Sequence, residues 1–234
     1  MPAKLVCTSC QQSAPSDTLR WRCTCGGLYD LVASASFPRD TIRNRPQTLW
    51  RYREALPLSP ACDVVSLGEA LTPLLPWPAL PGSRLKLEFL LPTGSFKDRG
   101  ACVMLSHMKG LGIRAAVEDS SGNAAAAVAA HSARAGIACR IFVPASTSSG
   151  KLAQIATYGA DLAPISGTRE DVAAAVGAGF PLPHRTPYRF RQKITTPIAR
   201  MRLATTKPGR YPRSCASQPN PMAPTAPPVS AAML

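Results

Sequence analysis

Two short polar turns carry the residues in this chain that could do chemistry. Pro92-Thr-Gly-Ser-Phe-Lys-Asp-Arg-Gly100 sets one lysine, Lys97, in a Gly/Ser turn expected to open a helix near Asp98. Desolvation and nearby positive dipoles lower the pKa of an amine, and a neutral amine can form a Schiff base. Taken singly, Lys97 could equally be a surface lysine after a turn. Further along, Ser120-Ser121-Gly122-Asn123 makes a second polar turn ahead of an alanine-rich helix. A covalent anchor plus a polar turn at a helix start is what a pyridoxal phosphate site needs. The lysine holds the cofactor, and the turn offers donors to its ring oxygen and to a substrate carboxylate.

A separate constellation opens the chain. Cys7-Thr-Ser-Cys10 is followed, after twelve residues, by Cys23-Thr-Cys25-Gly-Gly. Two close cysteine pairs on short turns can converge into a tetrahedral thiolate set, the geometry Zn²⁺ favours with soft ligands. Gly26 and Gly27 let the second turn bend so that its amides face the sulfurs. Residues 1–32 are therefore expected to form a zinc ribbon. Four protein ligands leave no open position, so the Zn²⁺ would be structural. Four buried or redox-active thiols are the alternative.

The elements that must position these residues follow from apolar spacing and breakers. Residues 33–66 are expected to be a linker interrupted by Pro38, Pro46, Pro57 and Pro60. Within it, Leu49–Tyr52 could form one helical turn that packs Trp50 on the next domain. From 67 to 176 the pattern is that of an α/β domain. A turn and extended segment occupy 67–75, and Ser83–Leu90 reads as a strand. A helix is expected over Arg99–Gly110, with Met108 in the core and His107 at the surface. Then come a strand at Ile113–Glu118, a helix at Ala124–Ala135 and a strand at Ile137–Val143. A helix at Ser148–Tyr158, a strand at Asp161–Ile165 and a helix beginning over Arg169–Val176 complete the series. Such alternation with short links predicts a parallel sheet. Ligands in such sheets bind beyond the carboxyl ends of the strands, which is where the Ser120–Asn123 turn falls.

The net charge of +14 is unevenly spread. Residues 177–234 hold nine Lys/Arg, eleven prolines and no acid, which leaves +5 on the rest. The body is too mildly basic for a nucleic-acid footprint, and no nucleic-acid partner is expected. There is no secretory signal ahead of Cys7, and the longest apolar run, Ala124–Ala130, is too short to span a bilayer. A cytoplasmic protein without membrane association is expected. Its eight cysteines are then thiols or metal ligands rather than disulfides. The segment 177–234 reads as a disordered, basic, proline-rich tail. An arm attracted to RNA or membrane is a second reading. The abrupt halt of α/β patterning in mid-helix is that of a GC-rich gene read in the wrong frame, and a frameshift product is the reading that fits the halt best.

Together these motifs resemble the threonine synthases, members of the fold type II pyridoxal phosphate enzymes. The resemblance covers residues 1 to about 176. It rests on the cysteine-rich start, Ser66-Leu-Gly-Glu-Ala-Leu-Thr-Pro73, Pro92–Gly100, Ser120-Ser-Gly-Asn-Ala124, Gly150-Lys-Leu-Ala-Gln154 and Tyr158-Gly-Ala160. It implies a partial three-layer parallel α/β domain behind the ribbon. It also implies Lys97 as the catalytic, cofactor-bearing lysine and Asn123 as the partner of the cofactor's ring hydroxyl. Ser120, Ser121 and Gly122 match the loop that meets the substrate carboxylate. If the substrate is O-phospho-L-homoserine, Arg99 and Lys151 are the cations to test against its phosphate. The implied reaction adds water and releases phosphate to give L-threonine.

Serine/threonine dehydratases share this plan. A non-catalytic zinc-binding interaction protein is the rival from another class. Family members are often homodimers and act on small amino acids. They continue well beyond this length, with a glycine-rich loop for the cofactor phosphate and a hydroxyl residue for the pyridine nitrogen. Gly177-Ala-Gly-Phe180 is a poor substitute for that loop. The expectation is that these 234 residues alone bind the cofactor weakly or not at all and are inactive.

Overall fold

The computed structural model describes residues 3–20 and 22–177, together with the backbone of 188 and 189. The expectation of a tail over 177–234 therefore falls almost wholly outside the described residues.

The chain starts with a small antiparallel sheet. Strand β1 (Lys4–Cys7) lies between β2 (Ser13–Pro15) and β3 (Tyr29–Val32), with Cys7 opposite Tyr29. The expected linker has structure of its own. Pro38 fixes the backbone just ahead of α1 (Arg39–Arg43), and a 3-10 helix runs from Leu49 to Ala55, longer than the single turn expected there. Arg45 grips Glu54 with two hydrogen bonds of 2.7 and 2.6 Å, and Trp50 Nε1 donates to Glu69 at 3.3 Å.

A hairpin of β4 (Leu74–Pro76) and β5 (Arg84–Lys86) follows. The strand expected over Ser83–Leu90 stops at Lys86, and Glu88–Leu90 is a 3-10 turn. Glu88 is the reason. Its carboxylate accepts from Arg99 and Thr72, and the chain bends to present it.

The main sheet is parallel. Strands β6 (Ala115–Glu118), β7 (Ala138–Pro144) and β8 (Asp161–Ile165) alternate with α2 (Lys97–Gly110), α3 (Asn123–Ala135), α4 (Ser149–Thr157) and α5 (Arg169–Gly177). The order is β8-β7-β6-β9, where β9 is Tyr188–Arg189 alongside β6. Side-chain alternation along the strands fills both faces. On one side Ala116, Ile141 and Val143 pack beneath α2, α3 and α4. On the other, Val117 and Phe142 pack against Val172 and Val176 of α5.

Five alanines of α3 are buried, and their small side chains let this helix lie close to both the sheet and α2. Gly136, at φ +71°, ends it in the left-handed conformation that a Cβ would resist. No helix among the described residues is long and apolar enough to cross a membrane.

Candidate active site and metal cluster

Lys97 is the first residue of α2 and is half-buried. The turn before it is held from within. Gly94 adopts φ +82° and its amide donates to the Leu91 carbonyl at 2.8 Å. Asp98 is fully buried, and its carboxylate accepts from the Thr93 amide (2.8 Å) and the Thr93 hydroxyl (2.7 Å). The Lys97 amide donates to Ser95 Oγ at 3.3 Å, and Lys97 Nζ lies 4.7 Å from the Phe96 ring centroid. From α4, Gln154 Nε2 donates to the Thr93 carbonyl at 3.0 Å, which ties the turn to the next helix but one. These contacts fix the backbone from which the Lys97 side chain leaves the helix start.

Behind the turn lies a buried polar network that the motifs alone did not assign. His131 of α3 places Nδ1 3.9 Å from Asp98 Oδ1 and 2.8 Å from the Ala127 carbonyl, and Nε2 2.7 Å from Glu69 Oε1. Glu69 also accepts from Ser66 Oγ at 2.6 Å, the Leu67 amide at 2.8 Å and Trp50. Burial by itself would raise the Glu69 carboxyl, but the hydrogen bonds from His131, Ser66 and Leu67 outweigh it and hold it at about 2. The Cys102 thiol sits beside this pair, pushed well up by burial and next by the Glu69 charge. Its sulfur donates to the Arg99 carbonyl at 3.3 Å.

The second turn leaves the carboxyl end of β6. Ser120, Ser121 and Gly122 are half-buried, while Asn123 begins α3 and is exposed. Gly122 stands at the N-cap in extended conformation with no side chain capping the helix, so amides of the first turn stay available to an acceptor. The last strand residue, Glu118, is buried. Desolvation first and Asp119 second push its carboxyl up to about 8, against the pull of Lys97 and Arg169. The far ends of α2 and α3 meet around Lys109, Ile113 and Ala135, so their starts, and with them both turns, stand at the same edge of the sheet. An amine and a row of helix-start amides on one edge fit the donor set that pyridoxal phosphate requires. A cavity of about 160 Å³ lined by Lys109, Ile113 and Ile137 lies at the opposite ends of α2 and α3 and takes no part in this arrangement.

The two cations singled out for phosphate fare differently. Arg99 is engaged: Nε and Nη2 meet the Glu88 carboxylate at 2.7 and 2.9 Å, and Nη2 reaches the Ala70 carbonyl at 3.3 Å. That pairing joins the hairpin region to α2. Lys151 is exposed in the first turn of α4. His107, expected at the surface, is partly buried, and its Nε2 lies 3.0 Å from the Ser16 carbonyl beyond β2. Burial lowers its pKa.

Cys7, Cys10, Cys23 and Cys25 converge, with all four sulfurs within 4.8 Å of one another. Cys7 lies 3.5 Å from Cys25, and Cys10 lies 3.5 Å from Cys23. The amides of Cys10 and Ser9 point at the Cys7 sulfur and lower its pKa. The Cys25 amide does the same for Cys23, which is held at about 6. A Cβ at Gly27 would come within 2.6 Å of Cys7 Sγ, so the second turn closes over the sulfurs only without a side chain there. Four thiols gathered by amides fit the chelation of a soft metal ion.

Comparison with known proteins agrees with this arrangement. The family described as "Pyridoxal-phosphate dependent enzyme" matches residues 65–180. The chain is 34% identical over 177 residues to a threonine synthase of Methanocaldococcus jannaschii, covering 70% of this chain and 44% of that one. It is 38% identical over 146 residues to a threonine synthase of Mycobacterium leprae (58% and 41%). It is 40% identical over 134 residues to one from Synechocystis (53% and 35%). The chain spans less than half the length of each of these relatives. It belongs to the pyridoxal-phosphate-dependent enzymes of fold type II and is closely related to the threonine synthases.

Proposed function

We propose that the chain carries the lysine-bearing part of a threonine-synthase-like lyase, which converts O-phospho-L-homoserine and water into L-threonine and phosphate. The observation that carries this reading is Lys97, braced at the start of α2 by Thr93 and Asp98, on the sheet edge where the Ser120–Asn123 turn begins. The naming of the relatives supports the choice of reaction within the family.

In this reading Lys97 Nζ anchors the cofactor and moves protons at the substrate. Asn123 bonds the ring hydroxyl. Ser120, Ser121 and Gly122 receive the substrate carboxylate on their amides and hydroxyls. Lys151, exposed at the α4 start, meets the substrate phosphate in preference to Arg99, whose guanidinium already serves Glu88. When bound, pyridoxal phosphate supplies an electron sink for the departure of phosphate and the entry of water. The four cysteines hold a structural Zn²⁺ in a zinc ribbon.

The 234 residues by themselves are proposed to be inactive. Among the described residues no glycine-rich loop follows a strand in the way a cofactor phosphate requires. Borohydride reduction in the presence of pyridoxal phosphate, followed by peptide mass mapping, tests the site. The expected adduct is on Lys97 and disappears in Lys97→Ala, with no phosphate released from O-phospho-L-homoserine. Adducts spread evenly over surface lysines would overturn the site, and phosphate release would overturn the inactivity.

A further inference from the structure

His131 has no role in the reading above, yet it is fully buried in α3 behind the lysine turn. Both nitrogens of its ring face oxygen. Nδ1 lies 2.8 Å from the Ala127 carbonyl, and Nε2 lies 2.7 Å from Glu69 Oε1. A neutral imidazole has one N–H and one lone pair, so it can donate to only one of these two. Its bare nitrogen would then hold a lone pair against an oxygen, on a ring with no exposed surface.

The ring could stay neutral if Glu69 supplied the proton of their shared bond. The other partners of Glu69 stand against that. The Leu67 amide donates to Oε1 at 2.8 Å. Oε2 accepts from Ser66 Oγ at 2.6 Å and from Trp50 Nε1 at 3.3 Å. An amide and an indole N–H can only donate. Ser66 Oγ itself accepts from the Gly68 amide at 3.1 Å, which leaves its own hydrogen for Glu69. Three donors besides His131 favour a carboxylate, and against burial these bonds hold the pKa of Glu69 at about 2. Nε2 then brings the proton to the bond, and Nδ1 brings another to Ala127.

The titratable groups that face the ring come from the segment before β4 and from α2. Glu69, Cys102 and His131 bring their ligand atoms within 4.8 Å of one another, a spacing that could suit a metal ion. The Cys102 thiol, however, donates to the Arg99 carbonyl at 3.3 Å, and Nε2 donates to Glu69, so neither turns a lone pair inward. Burial first and the Glu69 charge next push that thiol well up, so it stays neutral. Asp98 is the remaining group. Its Oδ1 is 3.9 Å from Nδ1, beyond hydrogen-bond reach but close for charges that share a buried site. The same carboxylate accepts from the Thr93 amide at 2.8 Å and the Thr93 hydroxyl at 2.7 Å.

We propose that His131 is a fixed imidazolium locked between Glu69 and Asp98, and that its charge holds the Asp98 carboxylate on Thr93 and so sets the turn that carries Lys97. His131 acts through Asp98 and touches no reacting atom, so it is a positioning residue. The consequence for Lys97 rests on its being the anchoring amine of the proposed site, whereas the charge on the ring does not.

Nitrogen NMR of the histidine rings in the purified chain, near neutral pH, reads that charge directly. The chain has three histidines, and His107→Gln and His184→Gln assign the other two signals. The expected His131 ring carries a hydrogen on each nitrogen. A ring with one bare nitrogen overturns the proposal. Amide hydrogen exchange reads the positioning. His131→Gln keeps a polar side chain without the charge. Its Thr93 amide is expected to exchange about tenfold faster than in the wild type, after normalisation to the Leu105 and Met108 amides of α2. An equal rise at all three amides would mean general loosening and overturns the positioning role. If His131→Gln does not fold, the wild-type ring spectrum decides alone. Neither measurement needs pyridoxal phosphate, so failure to trap the cofactor on Lys97 would count against the proposed function and not against this charge.

Discussion

His131 Nε2 lies 2.7 Å from Glu69 Oε1, and neither side chain has any exposed surface. The pair joins α3 to the segment ahead of β4. Through Nδ1, His131 also faces Asp98, the residue that braces the lysine turn. A line of polar contacts therefore runs from Trp50 through Glu69 and His131 to the residue after Lys97.

Removing one member of such a network leaves its partner buried and unsatisfied. His131→Ala is expected to lower stability by about 3 kcal/mol, measured by urea denaturation. Glu69 adds a pH dependence. Its carboxyl is held at about 2 against 4.5 in the free state. The stability it contributes is therefore complete above 4.5 and is lost as pH falls from 4.5 towards 2. Melts taken from pH 6 to pH 2 should decline less steeply in Glu69→Gln than in wild type.

Glu118 gives the opposite sign. Its carboxyl is raised from 4.5 to about 8. The unfolded chain releases that proton first, so the group weakens the fold as pH rises from 4.5 to 8 and no further above that. The stability of Glu118→Gln relative to wild type should grow across this window and level off beyond it. Thermal melts at half-unit steps would read the plateau.

Gly27 is expected to be decisive for the metal cluster. A methyl there would sit 2.6 Å from Cys7 Sγ and 2.7 Å from Ser9 Oγ. Purified wild-type chain should carry one Zn²⁺, with the four clustered thiols unreactive towards a thiol reagent until a chelator is added. Gly27→Ala should weaken zinc binding at least about tenfold, as loss of a supporting contact around a metal typically does. Zinc analysis alongside thiol titration measures both.

Arg99 and Lys151 should separate cleanly. Arg99 is 18% exposed and forms a forked pair with Glu88. A lysine cannot reproduce that fork, so Arg99→Lys should cost about 1 kcal/mol in urea denaturation, after allowance for partial solvent screening. Lys151→Ala, on an exposed helix start, should change stability by less than about 0.5 kcal/mol.

Local chemistry made much of this molecule readable from its residues. The strand Asp161–Ile165 lies where its composition put it, because Gly159 and Gly167 both take positive φ at its flanks. Helix α3 departs from the expected Ala124 start by one residue, since extended Gly122 allows Asn123 to begin it. The cysteine spacing pointed to a convergent cluster, and the sulfurs do converge. Alternation over Ser83–Leu90 misled, because Glu88 answers to Arg99, eleven residues away, rather than to its strand neighbours.

What the amino-acid order alone determined was where each turn and helix begins, and hence that an amine and an asparagine each sit at a helix start. Only the tertiary structure decided what stands behind them: Arg99 bound to Glu88, Glu69 matched to His131 across 62 positions, and Glu118 buried at the end of its strand. Backbone preference acts over a few neighbouring residues and leaves a local signature. Burial, and the pairing of charges it enforces, depends on which distant segments close over a side chain, and no short stretch of sequence records that.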